Sequence, residues 1–249
     1  MRPAELHLTA AGARKGSLIL VNRDHPLQGE LFPDLVPLQG GWPDQHLDRT
    51  AARMLDAAIR AVQGTGQILP VSGWRSQDEQ QAIWNSSLTD HGPDFTARYV
   101  ARPGCSEHQT GLAVDLALCA EHIDFIRPEF PYDGVCGTFR KVAARYGFIQ
   151  RYTEEKQDKT GIAAEPWHFR YVGVPHAAIL TEAGLCLEEY PAFLRQAPRV
   201  VRLENGRRVQ VSYLPWTGTE TRRPAPGACW QLSGTNEGGF ILTVWEGEA

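Results

Sequence analysis

Ser106-Glu107-His108-Gln109-Thr110-Gly111-Leu112-Ala113-Val114-Asp115 is the stretch that decides how this chain reads. From Leu112 to Leu118 the residues alternate. Leu112, Val114, Leu116 and Leu118 share one face of an extended strand, and Ala113, Asp115 and Ala117 share the other. Asp115 therefore projects between two alanines, which leave space for an ion. An ionised carboxylate on an apolar strand is costly unless a cation or strong donors meet it. Farther along stands Glu165-Pro166-Trp167-His168, whose proline disfavours helix at the glutamate. The two motifs together offer two imidazoles, His108 and His168, and one carboxylate, Asp115, as metal donors, with Glu165 to spare. A turn through Gly111 can bring His108 and Asp115 to one point, and a neighbouring strand would supply His168. Three protein ligands leave a position open for water, which distinguishes catalytic from structural zinc. A glutamate beside such a water is placed to take its proton. This is a strand-and-loop site, unlike the helical HExxH arrangement.

Working outward, residues 1–43 are short apolar pieces broken by Pro26, Pro33, Pro37 and Pro43, and read as strand and loop. Leu47, Ala51, Met54, Leu55, Ala58, Ile59 and Val62 recur at helical spacing. That predicts a helix from an N-cap near Asp44 to Gly64. Residues 67–72 read as a strand leading into Gly73-Trp74-Arg75. Ser76-Gln77-Asp78-Glu79 is a capping box, so a second helix is expected from there toward Thr89. Residues 90–105, rich in Gly and Pro, read as loop. Further helices are expected at 138–146, 175–183 and 187–196, and a strand over Trp167–Val172. After Pro198 the texture changes to β. Strands at 200–203 and 209–213 flank Asn205-Gly206, a tight-turn pair, and a second pair is expected near 229–232 and 240–245, with loop between.

The chain has 249 residues, 42% of them hydrophobic and 22% charged, as in an ordinary soluble globular protein. A formal net charge of −4 gives no electrostatic reason to expect nucleic acid or an anionic membrane as partner. No stretch approaches the roughly 20 apolar residues of a membrane span. The N-terminus lacks a secretion signal, which points to the cytoplasm. The 5 cysteines form no CxxC pair and read as reduced thiols. The remaining histidines, His7, His25, His46, His91, His122 and His176, read as surface or hydrogen-bonded residues.

Ser106-x-His108-x-x-Gly111-x-Ala113-x-Asp115 with Glu165-Pro166-Trp167-His168 resembles the zinc D,D-carboxypeptidases and dipeptidases of the VanY, VanX and VanXY type. The runs Pro103–Gln109 and Glu165–Gly173, and Asn22-x-x-His25-Pro26-Leu27 near the start, are similar to the cytoplasmic VanXY enzymes in particular. The resemblance covers roughly residues 18 to 195. It implies an α+β fold of the hedgehog/D,D-peptidase kind, a small, mostly antiparallel sheet flanked by helices. On that reading residues 1–197 form the catalytic domain and 198–249 a C-terminal β appendage. The resemblance also assigns roles. His108, Asp115 and His168 match the ligands of one zinc ion, Glu165 the catalytic base, and Arg75 the arginine near the scissile carbonyl. Gln80 matches a glutamine five residues after it, and Ser106 a serine that helps hold the substrate C-terminus. Trp74 replaces the usual tyrosine beside the arginine.

Read without the resemblance, Arg75 serves equally well as an ion-pair residue, Gln80 as helix surface, Ser106 as a turn cap, and Trp167 as packed aromatic or wall of the site. The leading expectation is a zinc peptidase acting on D-Ala-D-Ala-terminated peptides, on the dipeptide, or on both. The rivals are an endolysin-like endopeptidase of the same polymer and a zinc-containing binding protein without turnover. In the appendage Trp216, Trp230 and Trp245 raise glycan binding as an idea, with packing as the plainer fate. The sequence leaves oligomeric state open.

Overall fold

The alternating run does form a strand, over Ala113–Leu118, inside a four-stranded antiparallel sheet. The structure, a computed structural model, describes residues 5–29, 31, 33–40, 45–203, 206–222 and 228–246. In chain order the strands and helices begin with β1 (Leu6–Leu8), β2 (Leu35–Pro37), β3 (His46–Asp48), α1 (Arg49–Ala61), β4 (Ile68–Ser72) and α2 (Gln77–Tyr99). There follow β5 (Ala113–Leu118), α3 (Gly134–Ala143), β6 (Phe148–Tyr152), α4 (Gln157–Thr160), β7 (Glu165–Tyr171), α5 (Val174–Ala183) and α6 (Tyr190–Gln196). The last are β8 (Arg199–Arg202), β9 (Arg208–Pro215), β10 (Glu220–Arg222), β11 (Cys229–Gly234) and β12 (Gly239–Trp245). All strand pairs described are antiparallel. No helix among the described residues is long and apolar enough to cross a membrane, and all five cysteines are free.

The chain divides into two compact units, Val21–Thr181 and Met1–Leu20 with Glu182–Ala249. The first is built on a sheet of strand order β4-β5-β7-β6. Its core face carries the leucine–valine side of β5 and Trp167, Phe169 and Tyr171 of β7, packed with Leu55, Ala58 and Ile59 of α1 and Phe139 and Ala143 of α3. Phe130, Phe139 and Phe169 meet edge to face, at ring-centroid distances of 5.9, 5.5 and 5.2 Å. Each such side chain gains about 1.5–3 kcal/mol by leaving water, which fixes the register of β5 and β7. A slip by one residue would turn every apolar side chain out of the core.

Three local expectations need correction in this unit. The first helix begins at Arg49, not near Asp44, a residue that lies outside the described set. Asp48 is its cap, accepting from Thr50 N (2.9 Å) and Ala51 N (3.2 Å). Leu47, which fits helical spacing, instead sits on β3 opposite Val36. The second helix does not stop at Thr89. It kinks at Gly92 (φ 81°) and resumes at Pro93, which belongs at the start of a helical segment, where its missing N–H costs nothing. The Ser87 and Thr96 hydroxyls, 2.7 Å apart, tie the two segments, so much of the expected loop 90–105 is helix. The third helix starts at Gly134 rather than Thr138, and 144–146 tighten into a 3₁₀ turn.

Gly73, just beyond β4, fills a crossing with no room for a side chain. A Cβ there would run into the carbonyl oxygen of His46. The neighbouring Trp74 N–H bonds to that oxygen (2.7 Å), and Gly73 N–H bonds to Gln45 Oε1 (2.6 Å). Gly73→Ala is therefore expected to lower stability by about 1–3 kcal/mol or more. Denaturant unfolding checks this, and an unchanged midpoint would contradict the crossing.

The second unit holds a four-stranded sheet, β11-β12-β9-β8, and a two-stranded pair, β1-β10. The expected strand pairs are present, although Asn205 of the tight turn lies outside the described residues. The stretch expected as loop between β9 and β11 contains β10, whose partner is β1: Leu6 lies opposite Arg222 and Leu8 opposite Glu220. Hydrogen bonds from Gly234 N to Lys15 O (2.7 Å) and from Leu20 N to Thr235 O (3.0 Å) bind more of the N-terminal segment to the C-terminal strands. Those contacts, with α6 against β9, put this division after Thr181 rather than at the expected 197/198 boundary. Trp216 packs against the small core of Leu8, Ala13 and Phe240.

Candidate metal centre

The face of the sheet turned away from the core brings the polar residues together. Asp115 on β5 lies opposite His168 on β7, and Ala113 lies opposite Arg170. On the other side Ser72 of β4 lies opposite Asp115, after an irregularity between Pro70 and Ser72. A second irregularity separates Gln150 from Tyr152, so that Tyr152 pairs with Glu165. Such breaks in a ladder re-aim side chains beside functional sites. His108 arrives from a 3₁₀ turn, Glu107–Thr110, closed by Gly111 at φ 70°. The turn through Gly111 thus does what the spacing predicted.

His108, Asp115 and His168 are all buried, and one potential ligand atom from each lies within 4.8 Å of the others. The outer nitrogen of each imidazole is committed. His108 Nδ1 stands 2.7 Å from Gly73 O, which can only accept, so the proton is on Nδ1. His168 Nε2 stands 3.4 Å from Glu107 Oε2. The inner nitrogens both face Asp115: His108 Nε2 at 3.3 Å from Oδ2 and His168 Nδ1 at 3.0 Å from Oδ1. Two neutral rings would aim two lone pairs at one carboxylate, which a positive charge must separate; in the metal-free protein the second proton of His168 supplies it. A divalent cation answers that need, and neutral imidazole with carboxylate is ordinary zinc chemistry. The donor set fits a zinc ion.

Electrostatics follow the same geometry. Burial opposes charge on Asp115, yet the two imidazoles hold its carboxyl well below the usual range. Burial also opposes protonation of His168, but Asp115 and Glu107 raise its imidazole to about 9. His108 is lowered by burial and by the Arg75 guanidinium. Burial pushes the Glu165 carboxyl up to about 8, with His168 opposing and Asp115 adding. Glu165 Oε2 lies 3.7 Å from His168 Nδ1.

All eight residues singled out in the sequence line one cavity of about 420 Å³: Arg75, Gln80, Ser106, His108, Asp115, Glu165, Trp167 and His168. Arg75 Nη2 donates to Asp115 Oδ2 (3.1 Å) and to Ser72 Oγ (2.8 Å), and its Nη1 donates to Gln80 Oε1 (3.3 Å). Gln80 is buried with its other end on Ala101 O (2.8 Å). It is therefore neither helix surface nor a free amide: its amide grips the arginine. Ser106 is buried at the cavity wall, and Trp167 belongs to both the wall and the core. Sequence reasoning passed over Glu107, Arg151, Arg170 and Tyr152. The Tyr152 ring lies 4.9 Å from that of His168, and Glu107 forms ion pairs with both arginines. One signal was available. Arg170 has the parity of His168 on β7 and so shares its face.

The VanY family model, described as D-alanyl-D-alanine carboxypeptidase, matches residues 44–174. VanXYC of Enterococcus gallinarum, a bifunctional D-Ala-D-Ala dipeptidase and carboxypeptidase, is 41% identical over 185 residues, 74% of this chain and 97% of that protein. The vancomycin-resistance D,D-dipeptidase VanXYg, solved with a D-Ala-D-Ala phosphinate analogue, gives a TM-score of 0.94 at 41% identity, covering 98% of this chain and 99% of that one. A VanY D,D-pentapeptidase mutant in complex with Zn(II) gives 0.60 at 33% identity, covering 70% of this chain and 98% of that one. By family model and by identity alike, this chain belongs to the VanY family of D-alanyl-D-alanine carboxypeptidases.

Proposed function

We propose that the protein is a zinc D,D-peptidase that hydrolyses the terminal D-Ala-D-Ala bond of peptidoglycan precursors, as carboxypeptidase, dipeptidase or both, and that it does so in the cytoplasm. The observation that carries the reading is one buried cluster of three metal donors with a protonatable glutamate and an arginine on the same cavity wall. One zinc ion held by His108, Asp115 and His168 would supply Lewis acidity, making water nucleophilic near neutral pH and polarising the scissile carbonyl. Glu165 takes the proton of the attacking water and hands it to the departing amine. Arg75 donates toward the developing oxyanion, a contribution that depends on the donor being held in place beforehand. Ser72 and Gln80 hold it, so Gln80 is a positioning residue in this reading. Ser106 and Trp167 shape the wall against which the terminal residue lies.

The test is D-Ala release from D-Ala-D-Ala, from a pentapeptide precursor and from intact wall. Release from either soluble substrate is expected. Cleavage of wall alone would replace this reading with an endopeptidase, and zinc uptake without turnover on any substrate would replace it with a binding protein.

The electrostatics add a second expected outcome. In the metal-free protein at pH 7, His168 (about 9) and Glu165 (about 8) both hold protons. Zinc binding should expel about two of them, because ligands and the neighbouring base must be deprotonated. Calorimetry in buffers of different ionisation enthalpy measures the number. Both groups have folded-state pKa values above their ordinary ones, 6.5 and 4.5, so the stability they lend is fully present below those values. It is lost as pH rises through about 9 and about 8. The metal-free protein should therefore melt at a lower temperature at pH 8.5 than at pH 7, and zinc should raise the melting point more at the higher pH.

A further inference from the structure

Glu107 stands beside His108 in the motif and has no role in the reading above. Its side chain is closed to solvent, 0% exposed, as are those of Arg151 and Arg170. Glu107 Oε1 meets Arg151 Nε at 2.8 Å and Arg170 Nη1 at 2.9 Å. Glu107 Oε2 is turned to His168 Nε2 at 3.4 Å. Burying three full charges is costly, and apolar residues of similar volume often fill such a space with no loss of stability. The geometry supplies a reason for the trio beyond stability. Arginine only donates, so the two guanidiniums claim Oε1 and leave Oε2 for the imidazole. A carboxylate only accepts, so once His168 gives up its second proton to meet a cation beside Asp115, the proton that remains is the one on Nε2, facing Glu107. That leaves the lone pair on Nδ1, the nitrogen 3.0 Å from Asp115 Oδ1. The grip comes from two strands, Arg151 beside the irregularity in β6 and Arg170 two residues beyond His168 on β7.

We propose that Glu107 is a positioning residue that fixes the tautomer and ring orientation of His168, presenting Nδ1 to the metal, while Arg151 and Arg170 anchor the Glu107 carboxylate. The inference rests on the zinc reading of the site. It makes Glu107 the side-chain counterpart of Gly73 O, which holds His108 in the complementary tautomer.

The test is Glu107→Gln. The glutamine is nearly the same shape, but the arginines will claim its carbonyl oxygen and turn its NH₂ toward His168 Nε2. That nitrogen must then accept, which drives the ring proton to Nδ1, against the metal. Zinc titration against a chromophoric chelator should show affinity about 10–100-fold weaker than wild type, the usual effect of losing such a partner. Nitrogen-15 spectra of zinc-loaded wild type should show the His168 proton on Nε2. A role as counter-ion alone predicts a lower melting point with unchanged zinc affinity and tautomer, and that result would overturn the proposal. So would a wild-type His168 protonated on Nδ1, a measurement that decides the matter even where the variant does not fold. Wild type that takes up no zinc would instead remove the metal reading itself.

Discussion

Glu165→Gln is expected to lower D-Ala release by about 10²–10⁴-fold while the protein keeps its zinc. The carboxyl is buried and stands beside the donor triad rather than inside it, with Oε2 3.7 Å from His168 Nδ1. Burial holds it protonated near neutral pH in the metal-free protein. A neighbouring cation favours the carboxylate, so one side chain can pass between base and acid during a cycle. Glutamine keeps the volume and the hydrogen-bonding ability but cannot accept and return a proton. Turnover should therefore fall with little change in KM, the pattern of an interaction made only in the transition state. Because the amide replaces an acid that the folded state already prefers neutral, stability near pH 7 should not suffer. Steady-state kinetics with metal analysis of the same preparation checks this. Turnover at the wild-type rate would remove Glu165 from the mechanism.

The site was legible from the sequence to the extent that local periodicity controls it. Asp115 stands out because a charge interrupts an alternating apolar strand, and the register of β5 against β7 puts it opposite His168. Glu165 could not have been placed by alternation. Its parity on β7 is that of Trp167 and Phe169, which face the core, and only the irregular pairing with β6 and the proline after it turn it toward the site. Glu107 was hidden for another reason. Its partners Arg151 and Arg170 lie 44 residues and more away; the parity of Arg170 with His168 puts that arginine on the site face, but nothing local marks Arg151 or joins either to Glu107. The same blindness to distance concealed β10, three residues whose partner lies at the other end of the chain. The prolonged α2 was a failure of a different sort. Gly92-Pro93 reads as an end of helix when it is also a competent beginning, and the hydroxyl contact of Ser87 with Thr96 decides between the two only in three dimensions.

Asp115→Ala should have the largest effect on metal affinity. The carboxylate meets three partners at once, His108 Nε2 at 3.3 Å, His168 Nδ1 at 3.0 Å and Arg75 Nη2 at 3.1 Å. Alanine suits the strand, whose site face already carries Ala113 and Ala117, so the backbone has no reason to move. What is lost is the anionic donor. A structural zinc ion held by four ligands is worth about 10–16 kcal/mol, so one ligand in four carries roughly 3 kcal/mol, or about 10²-fold in affinity. The removed donor is the charged one, which makes that figure a floor. Losing one member of a buried ion pair commonly costs about 3–5 kcal/mol, but two features soften the cost here. Arg75 keeps Ser72 and Gln80 as partners, and its side chain is 19% exposed, so water still reaches it. His168 loses an acceptor that raised it and, being buried, reverts toward the neutral ring. The variant should therefore fold, by circular dichroism, yet surrender zinc to a chelator concentration that leaves wild type loaded, and release no D-Ala under those conditions. Wild-type zinc affinity in Asp115→Ala would mean that the two imidazoles bind the metal with some other partner, and the three-donor centre would be wrong.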